Sequence, residues 1–132
     1  MTELDWSRWP NFSRAEMQCK CGCGRADMDP DFMDKLQALR THLGFAFHIT
    51  SGFRCPDHDA EAHKRVPCVH AEGIAADIAC SHEHAAAIAG EWKNFGFTGK
   101  GERQEGAVAK RFIHLDTSET KFERPRPHVW SY

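Results

Sequence analysis

Hydrophobic residues recur at helical spacing in two stretches of the chain. The first stretch follows Asp29-Pro30, a capping residue and a first-turn proline, and Gly44 marks its end. Its apolar positions, spaced by four, three and four residues, are Phe32, Leu36, Leu39 and Leu43. The second stretch follows Ser81, which can cap a helix, and stops at Gly96. Its apolar face consists of Ala85, Ile88, Ala89, Trp92 and Phe95.

Alternating apolar positions predict three strands, at residues 45–50, 73–80 and 111–117. Residues 98–110 contain three glycines and mixed charge, so they are predicted to form a loop. Residues 1–27 show no clean period and are predicted to be an irregular wrap with one helical turn. The order helix, strand, strand, helix, strand predicts an α+β domain whose mostly antiparallel sheet is flanked by helices.

Length and composition are those of an ordinary globular protein. The chain has 132 residues, which predicts one domain, 1–132, with its own core. A net charge of −2 argues against general nucleic-acid binding. The chain has no apolar run near the roughly 18 residues of a membrane span, and its first residues lack the features of a secretory signal. The composition is unusual in its nine histidines and six cysteines, which are residue types that bind metals.

Three of the cysteines form the run Cys19-Lys20-Cys21-Gly22-Cys23-Gly24. Without an export signal, we expect a reducing compartment that keeps these thiols out of disulfides. Alternate residues of a strand lie about 6.6 Å apart, too far for two thiolates on one zinc ion. Glycines can bend the chain more tightly, so a metal site stays open, but the run favours a glycine-rich turn with half-buried thiols.

Two predicted strands carry polar groups where apolar residues are the default. Asp77 lies among small alanines, and His114 and Asp116 share one face of the last strand. His70 comes just before the first of these strands, near a glycine. Two histidines and an aspartate are zinc ligands, and three protein ligands leave a fourth position for water, as in catalytic sites. The residue types and spacing alone also allow a hydrogen-bonded or solvated role for each.

Three strings together resemble the M15 family of zinc peptidases. They are Ser51-Gly52-Phe53-Arg54, His70-Ala71-Glu72-Gly73-Ile74-Ala75-Ala76-Asp77 and Phe112-Ile113-His114-Leu115-Asp116. This family contains D-Ala-D-Ala carboxypeptidases and peptidoglycan endopeptidases that share a fold with the hedgehog signalling domain. The chain looks most like a small branch common in bacteriophage and bacterial genomes, and the resemblance covers nearly all of it. It implies a hedgehog-like, DD-peptidase-like fold and Zn²⁺ as the cofactor.

The resemblance implies that His70, Asp77 and His114 are the zinc ligands. Two positions depart from the family pattern. Cys68 stands where the family has a serine, and a thiol is a poorer hydrogen-bond donor that is itself attractive to zinc. Arg111 stands three residues before the last histidine, where many members carry an acidic general base.

The general base must therefore come from elsewhere or be absent. Asp116 is the first candidate catalytic residue, because it shares the strand face with His114. Its alternative role is to accept a hydrogen bond that orients a ligand histidine. Glu102 and Glu105 in the predicted loop are the other candidates.

The resemblance also implies that Arg54 holds a substrate carboxylate or carbonyl, which suits a guanidinium fork. Without the resemblance, a surface ion pair of Arg54 with Asp57 or Asp59 is the simpler interpretation.

The predicted function is zinc-dependent hydrolysis of peptide bonds in peptidoglycan stem peptides by a metal-activated water. Whether the bond is a terminal D-Ala or an internal cross-link stays open, as does the oligomeric state. We expect synthesis in the cytoplasm and action on the cell wall after release or as part of a virion. The alternative is a non-catalytic, zinc-stabilised module that binds the cell wall or a protein, which the missing acid at Arg111 favours.

Overall fold

The computed structural model describes residues 4–55, 69–121 and 124–132. Its α-helices are α1 (Arg14–Met17), α2 (Pro30–Leu43) and α3 (His82–Glu91). Its strands are β1 (His48–Ser51), β2 (Ala75–Ala79), β3 (Gly99–Arg103), β4 (Phe112–Asp116) and β5 (His128–Ser131). Short 3₁₀ turns occur at Trp6–Arg8, Trp92–Phe95 and Val108–Lys110. Within the described ranges, no helix has the length and apolar character needed to cross a bilayer.

Helix α2 begins and ends where the sequence predicts. The Asp29 carboxylate accepts a hydrogen bond from the Phe32 N–H at 3.0 Å, and Pro30 is the first helical residue. Gly44 follows the last turn in the left-handed conformation, with φ 78°, and its N–H donates to the Arg40 carbonyl. The capping signals in the sequence therefore set both ends of this helix.

Helix α3 matches its prediction except for its cap. The helix continues into the 3₁₀ turn Trp92–Phe95, and Gly96, with φ 89°, ends it. Ser81 occupies the N-cap position, but its side chain accepts no hydrogen bond from a helix N–H. Its Oγ lies 3.2 Å from Nδ1 of His82 instead, so the ring competes for the oxygen that was expected to cap the helix.

The five strands form one sheet in the order β1-β2-β4-β3-β5. The pairs β1–β2, β2–β4 and β3–β4 are antiparallel, and only β3–β5 is parallel. The prediction of an α+β fold with a mostly antiparallel sheet is therefore confirmed.

The two faces of the sheet have different partners. Ile78 on β2 and Ile113 and Leu115 on β4 belong to the buried core. Their helical partners in this core are Phe32, Leu36, Leu39, Ile88 and Trp92. Because side chains alternate along a strand, Asp77 and His114 lie on the opposite face, and the two residues are paired across β2 and β4.

The predicted loop at residues 98–110 is wrong at its start, where β3 forms. Gly99 and Gly101 hide this strand from an apolar alternation pattern, but the fold requires them. A Cβ atom at Gly99 would overlap the Asp116 carboxylate, and one at Gly101 would overlap the Trp130 indole. The two glycines therefore let bulky and charged groups lie directly over this strand.

We expect Gly101→Ala to lower the free energy of unfolding by about 1–3 kcal/mol, because the added methyl group displaces the Trp130 indole. The measurement is the thermal unfolding midpoint together with tryptophan fluorescence. Gly90→Ala is the control, because Gly90 lies in α3 with nothing within 4 Å of its would-be Cβ. The control should be neutral or stabilising by about 0.5–1 kcal/mol. A Gly101→Ala protein as stable as the parent would contradict this packing.

Candidate metal centre

Three side chains from different parts of the chain converge on one face of the sheet. Asp77 comes from β2, His114 from β4, and His70 from the turn that precedes β2. The Oδ1 atom of Asp77 lies 2.9 Å from Nδ1 of His114 and 3.3 Å from Nε2 of His70. All three residues are buried, with His70 only 4% and His114 only 3% exposed. The structure thus brings together the three residues that the sequence singled out as metal ligands.

The ring of His70 is oriented by the backbone. Its Nδ1 atom lies 2.8 Å from the carbonyl oxygen of Gly52, so Nδ1 carries the proton and donates it. The same segment is fixed by a second bond, from the Arg54 N–H to the His70 carbonyl at 3.2 Å. Nε2 of His70 is therefore the ring nitrogen that faces Asp77.

The ring of His114 is held from its outer side by Asp116. Nε2 of His114 lies 2.8 Å from Oδ2 of Asp116, whose side chain is completely buried. The Arg126 guanidinium donates two hydrogen bonds to that carboxylate, at 2.9 and 2.8 Å, and the Ser118 N–H donates a third at 3.2 Å. Both carboxylate oxygens of Asp116 are thus engaged, and Nδ1 of His114 is the nitrogen that faces Asp77.

Electrostatics in this cluster favour positive charge beside the two aspartates. Burial would raise the pKa of Asp77, but hydrogen bonds from His114 and His70 hold it well below its usual value. Burial would likewise raise the pKa of Asp116, but His114 and Arg126 lower it. Burial would lower the pKa of His114, yet its bonds to Asp116 and Asp77 raise it. Positive charge at His114, between the two aspartates, is therefore favoured.

The donor atoms fit a zinc ion. In a tetrahedral site with ligands at about 2.0–2.1 Å, neighbouring donor atoms lie about 3.3 Å apart, close to the distances around Asp77. The second ring nitrogen of each histidine contacts an oxygen atom, from the Gly52 carbonyl for His70 and from the Asp116 carboxylate for His114. This arrangement is typical of metal-bound imidazoles. The three residues can therefore hold zinc and leave it one coordination position.

A pocket of about 320 Å³ opens over these three residues. Its wall includes Arg126, Trp130 and Tyr132 from the end of the chain. The Trp130 ring centroid lies 5.2 Å from that of His114, and the Arg126 guanidinium lies 5.3 Å from the Trp130 ring. No local sequence pattern predicts these residues as part of the site, because the end of the chain reaches it through the parallel pairing of β5 with β3.

Arg54 lies at the edge of the same pocket. Its Nε donates to Oγ of Ser51 at 3.0 Å, and its Nη2 is 3.5 Å from Oδ2 of Asp77. The alternative ion pair, with Asp57 or Asp59, involves aspartates outside the described residues.

Comparison with known proteins identifies the family. The sequence profile described as peptidase M15 matches residues 10–116. The chain belongs to the peptidase M15 family. No curated protein and no solved structure matches the chain. The match includes His70, Asp77, His114 and Asp116 of this M15 peptidase and ends before Arg126, so the part of the pocket wall formed by Arg126, Trp130 and Tyr132 lies beyond it.

Neither Arg111, at the family's acid position, nor the candidate bases Glu102 and Glu105 line the pocket of this M15 peptidase. Arg111 donates to the Gly106 carbonyl and does not line the pocket. Glu102 is paired with Ile113 on β4 and lies 3.1 Å from Nζ of Lys100, on the strand face away from His114. Glu105 does not line the pocket either. Cys68 falls outside the described residues.

Changing Asp116 tests how the histidine is held. Asp116→Asn removes the negative charge and replaces one accepting oxygen by an NH2 donor, which then faces either the His114 ring or the Arg126 and Ser118 donors, so zinc affinity at this centre should fall about 10–100-fold. The zinc affinity is measured by competition with a chromogenic chelator. The zinc ion that is lost in His70→Ala is assigned to this centre.

Glu119→Gln is the control, because Glu119 is an exposed carboxylate three residues further along the chain. Its zinc affinity should equal that of the parent. An unchanged affinity in Asp116→Asn, with the unfolding midpoint recorded in parallel, would refute an orienting role for Asp116.

Proposed function

We propose that this M15 peptidase uses zinc to hydrolyse peptide bonds in peptidoglycan stem peptides, as a D-Ala-D-Ala carboxypeptidase or an endopeptidase. Family membership supports peptidase activity. The zinc dependence is supported by the orientation of the two histidine rings. In each ring one nitrogen contacts a protein oxygen, and the other nitrogen lies beside Asp77. The enzyme would reach the cell wall after release from the cell or as part of a phage particle.

The ligands in this proposal are Nε2 of His70, the Asp77 carboxylate and Nδ1 of His114. When bound, zinc supplies a Lewis acid that polarises a substrate carbonyl and lowers the pKa of water. The protein supplies the geometry: the Gly52 carbonyl and Asp116 fix both rings before substrate arrives. Such preorganisation matters because a misplaced catalytic group costs much of the rate.

Of the two roles considered for Asp116, we propose the orienting one. Its side chain is completely buried. Oδ2 is bonded to His114 and Arg126, and Oδ1 to Arg126 and the Ser118 N–H. A general base must reach the proton that it accepts, and this carboxylate lies behind His114 as seen from Asp77.

Arg54 is proposed to bind the substrate carboxylate or carbonyl. Its side chain is 21% exposed and lies on the pocket beside Asp77. The bond from Nε to Ser51 limits the number of positions that the guanidinium can adopt. Trp130 and Tyr132 form the aromatic part of the same wall, which suits contact with the apolar parts of a peptide.

A non-catalytic, zinc-stabilised binding module is the second candidate. The observation that favours it is the pocket lining, where among the described residues Asp77 is the only carboxylate. Arg111 occupies the position at which many family members carry an acid, and its side chain is bonded to Gly106. Cleavage of substrate decides between the two candidates.

The deciding experiment is digestion of purified sacculi followed by mass analysis of the released fragments. The peptidase proposal predicts loss of a terminal D-Ala or cleavage of stem peptides, abolished by a chelator and restored by added zinc. His70→Ala is the matched inactive control. Zinc bound at the His70 centre, with binding to sacculi but no cleavage of any stem peptide, would favour the binding module.

A second experiment tests the role of Arg54 on whichever peptide is cleaved. Removing a hydrogen bond to a charged group costs about 1.5–3 kcal/mol, so Arg54→Ala should lower kcat/KM about 10–100-fold, mainly through KM. Arg103→Ala is the control, because Arg103 is an exposed arginine on β3 that does not line the pocket. An Arg54→Ala enzyme with unchanged KM would rule out substrate binding by this side chain.

A further inference from the structure

Four cysteine thiols lie close together outside the His70 pocket. Cys19, Cys21 and Cys23 come from the turn after α1, and Cys55 comes from the segment after β1. The four Sγ atoms all lie within 4.8 Å of one another. None of the four lines the His70 pocket. The cluster therefore needs its own explanation.

The turn makes this convergence possible. Residues 20–23 form a turn rather than a strand, so the alternate cysteines are not held apart at strand spacing. Gly22 and Gly24 have φ of 93° and 79°, a left-handed conformation that glycine adopts without strain. The Cys19 N–H donates to the Arg25 carbonyl at 2.7 Å and closes the loop. The glycine-rich turn predicted from the sequence thus also gathers its thiols.

The sulfur distances match a shared metal ion. The Sγ atoms of Cys19, Cys21 and Cys55 are 3.3–3.6 Å apart. Zinc with thiolates at about 2.3 Å in a tetrahedron places its sulfurs about 3.8 Å apart, whereas a disulfide requires about 2.05 Å. The Cys sulfurs are thus close to the spacing of a tetrathiolate site and well beyond that of a covalent bond.

Backbone donors point at the sulfurs. The Cys55 N–H donates to Sγ of Cys19 at 3.3 Å, and the Arg25 N–H donates to Sγ of Cys23 at 3.4 Å. Such donors stabilise negative charge on sulfur, which four thiolates around one cation require.

We propose that Cys19, Cys21, Cys23 and Cys55 form a second metal site that binds one structural Zn²⁺ ion. All four coordination positions are filled by protein, so this site is closed, unlike the His70 centre. Cys19 and Cys55 are 2% exposed, and Cys21 and Cys23 cover the outer side.

The proposed ion joins the N-terminal turn to the segment that supports the other centre. Cys55 directly follows Arg54, and the Gly52 carbonyl three residues earlier holds the His70 ring. The Phe53 N–H donates at 2.9 Å to the carbonyl of Met17, which lies two residues before Cys19. Residues 52–55 thus lie between the two sites, and the structural ion would fix their position.

The test is metal analysis and cobalt spectroscopy of the intact, reduced chain, with Zn²⁺ and Co²⁺ as the probes. We expect two zinc ions per chain and a thiolate-to-cobalt charge-transfer band in the near ultraviolet. In Cys21→Ser/Cys23→Ser, two exposed positions whose change spares the core, one zinc ion and that band should both be lost. Cys80→Ser is the matched control, because Cys80 lies outside the cluster, and it should retain both.

The outcome is independent of peptidase activity. His70→Ala should lose the other zinc ion and keep the charge-transfer band, so failure at one centre is distinguishable from failure at the other. A parent chain without the charge-transfer band, or a band and zinc content unchanged in the double variant, would overturn the proposal. A disulfide among these four cysteines, located by mass analysis of peptides from the protein before reduction, would overturn it as well.

Discussion

The site depends on one buried contact, the hydrogen bond between Nε2 of His114 and Asp116. A completely buried carboxylate is costly unless it is fully paired, and here Arg126 and the Ser118 N–H complete its hydrogen bonding. This pairing selects Nδ1 of His114 as the nitrogen beside Asp77. It also ties the end of the chain to β4, because Arg126 lies two residues before β5, which contributes Trp130 to the pocket wall. Removing the Arg126 guanidinium would leave the buried Asp116 carboxylate without its paired charge, at a cost of about 3–5 kcal/mol.

The elements with strong local signals could be predicted from the sequence. Helix α2 has a capping aspartate, a first-turn proline and a terminal glycine, and each acts locally as expected. The alternation around Asp77 and His114 correctly separates the core face from the polar face, because pairing of β2 with β4 preserves it. The convergence of His70, Asp77 and His114 could be anticipated only through the family resemblance, since seven-residue spacing alone fixes no geometry.

The features that sequence analysis missed have non-local causes. Strand β3 contains glycines because Asp116 and Trp130 need their space, a reason visible only once those side chains are in position. Strand β5 gains its place through parallel pairing with a strand that was itself expected to be a loop. The cysteine cluster includes Cys55, which lies 32 residues beyond Cys23 in the chain, so no local run could reveal it.

The most direct test of the account is diffraction from crystals of the zinc-loaded protein on both sides of the zinc absorption edge. We predict an anomalous peak within about 2.2 Å of Nε2 of His70, the Asp77 carboxylate and Nδ1 of His114. Asp116 should remain off the metal, bonded to Nε2 of His114. A zinc ion bound through Nε2 of His114 or through Asp116, or no ion beside Asp77, would contradict the account.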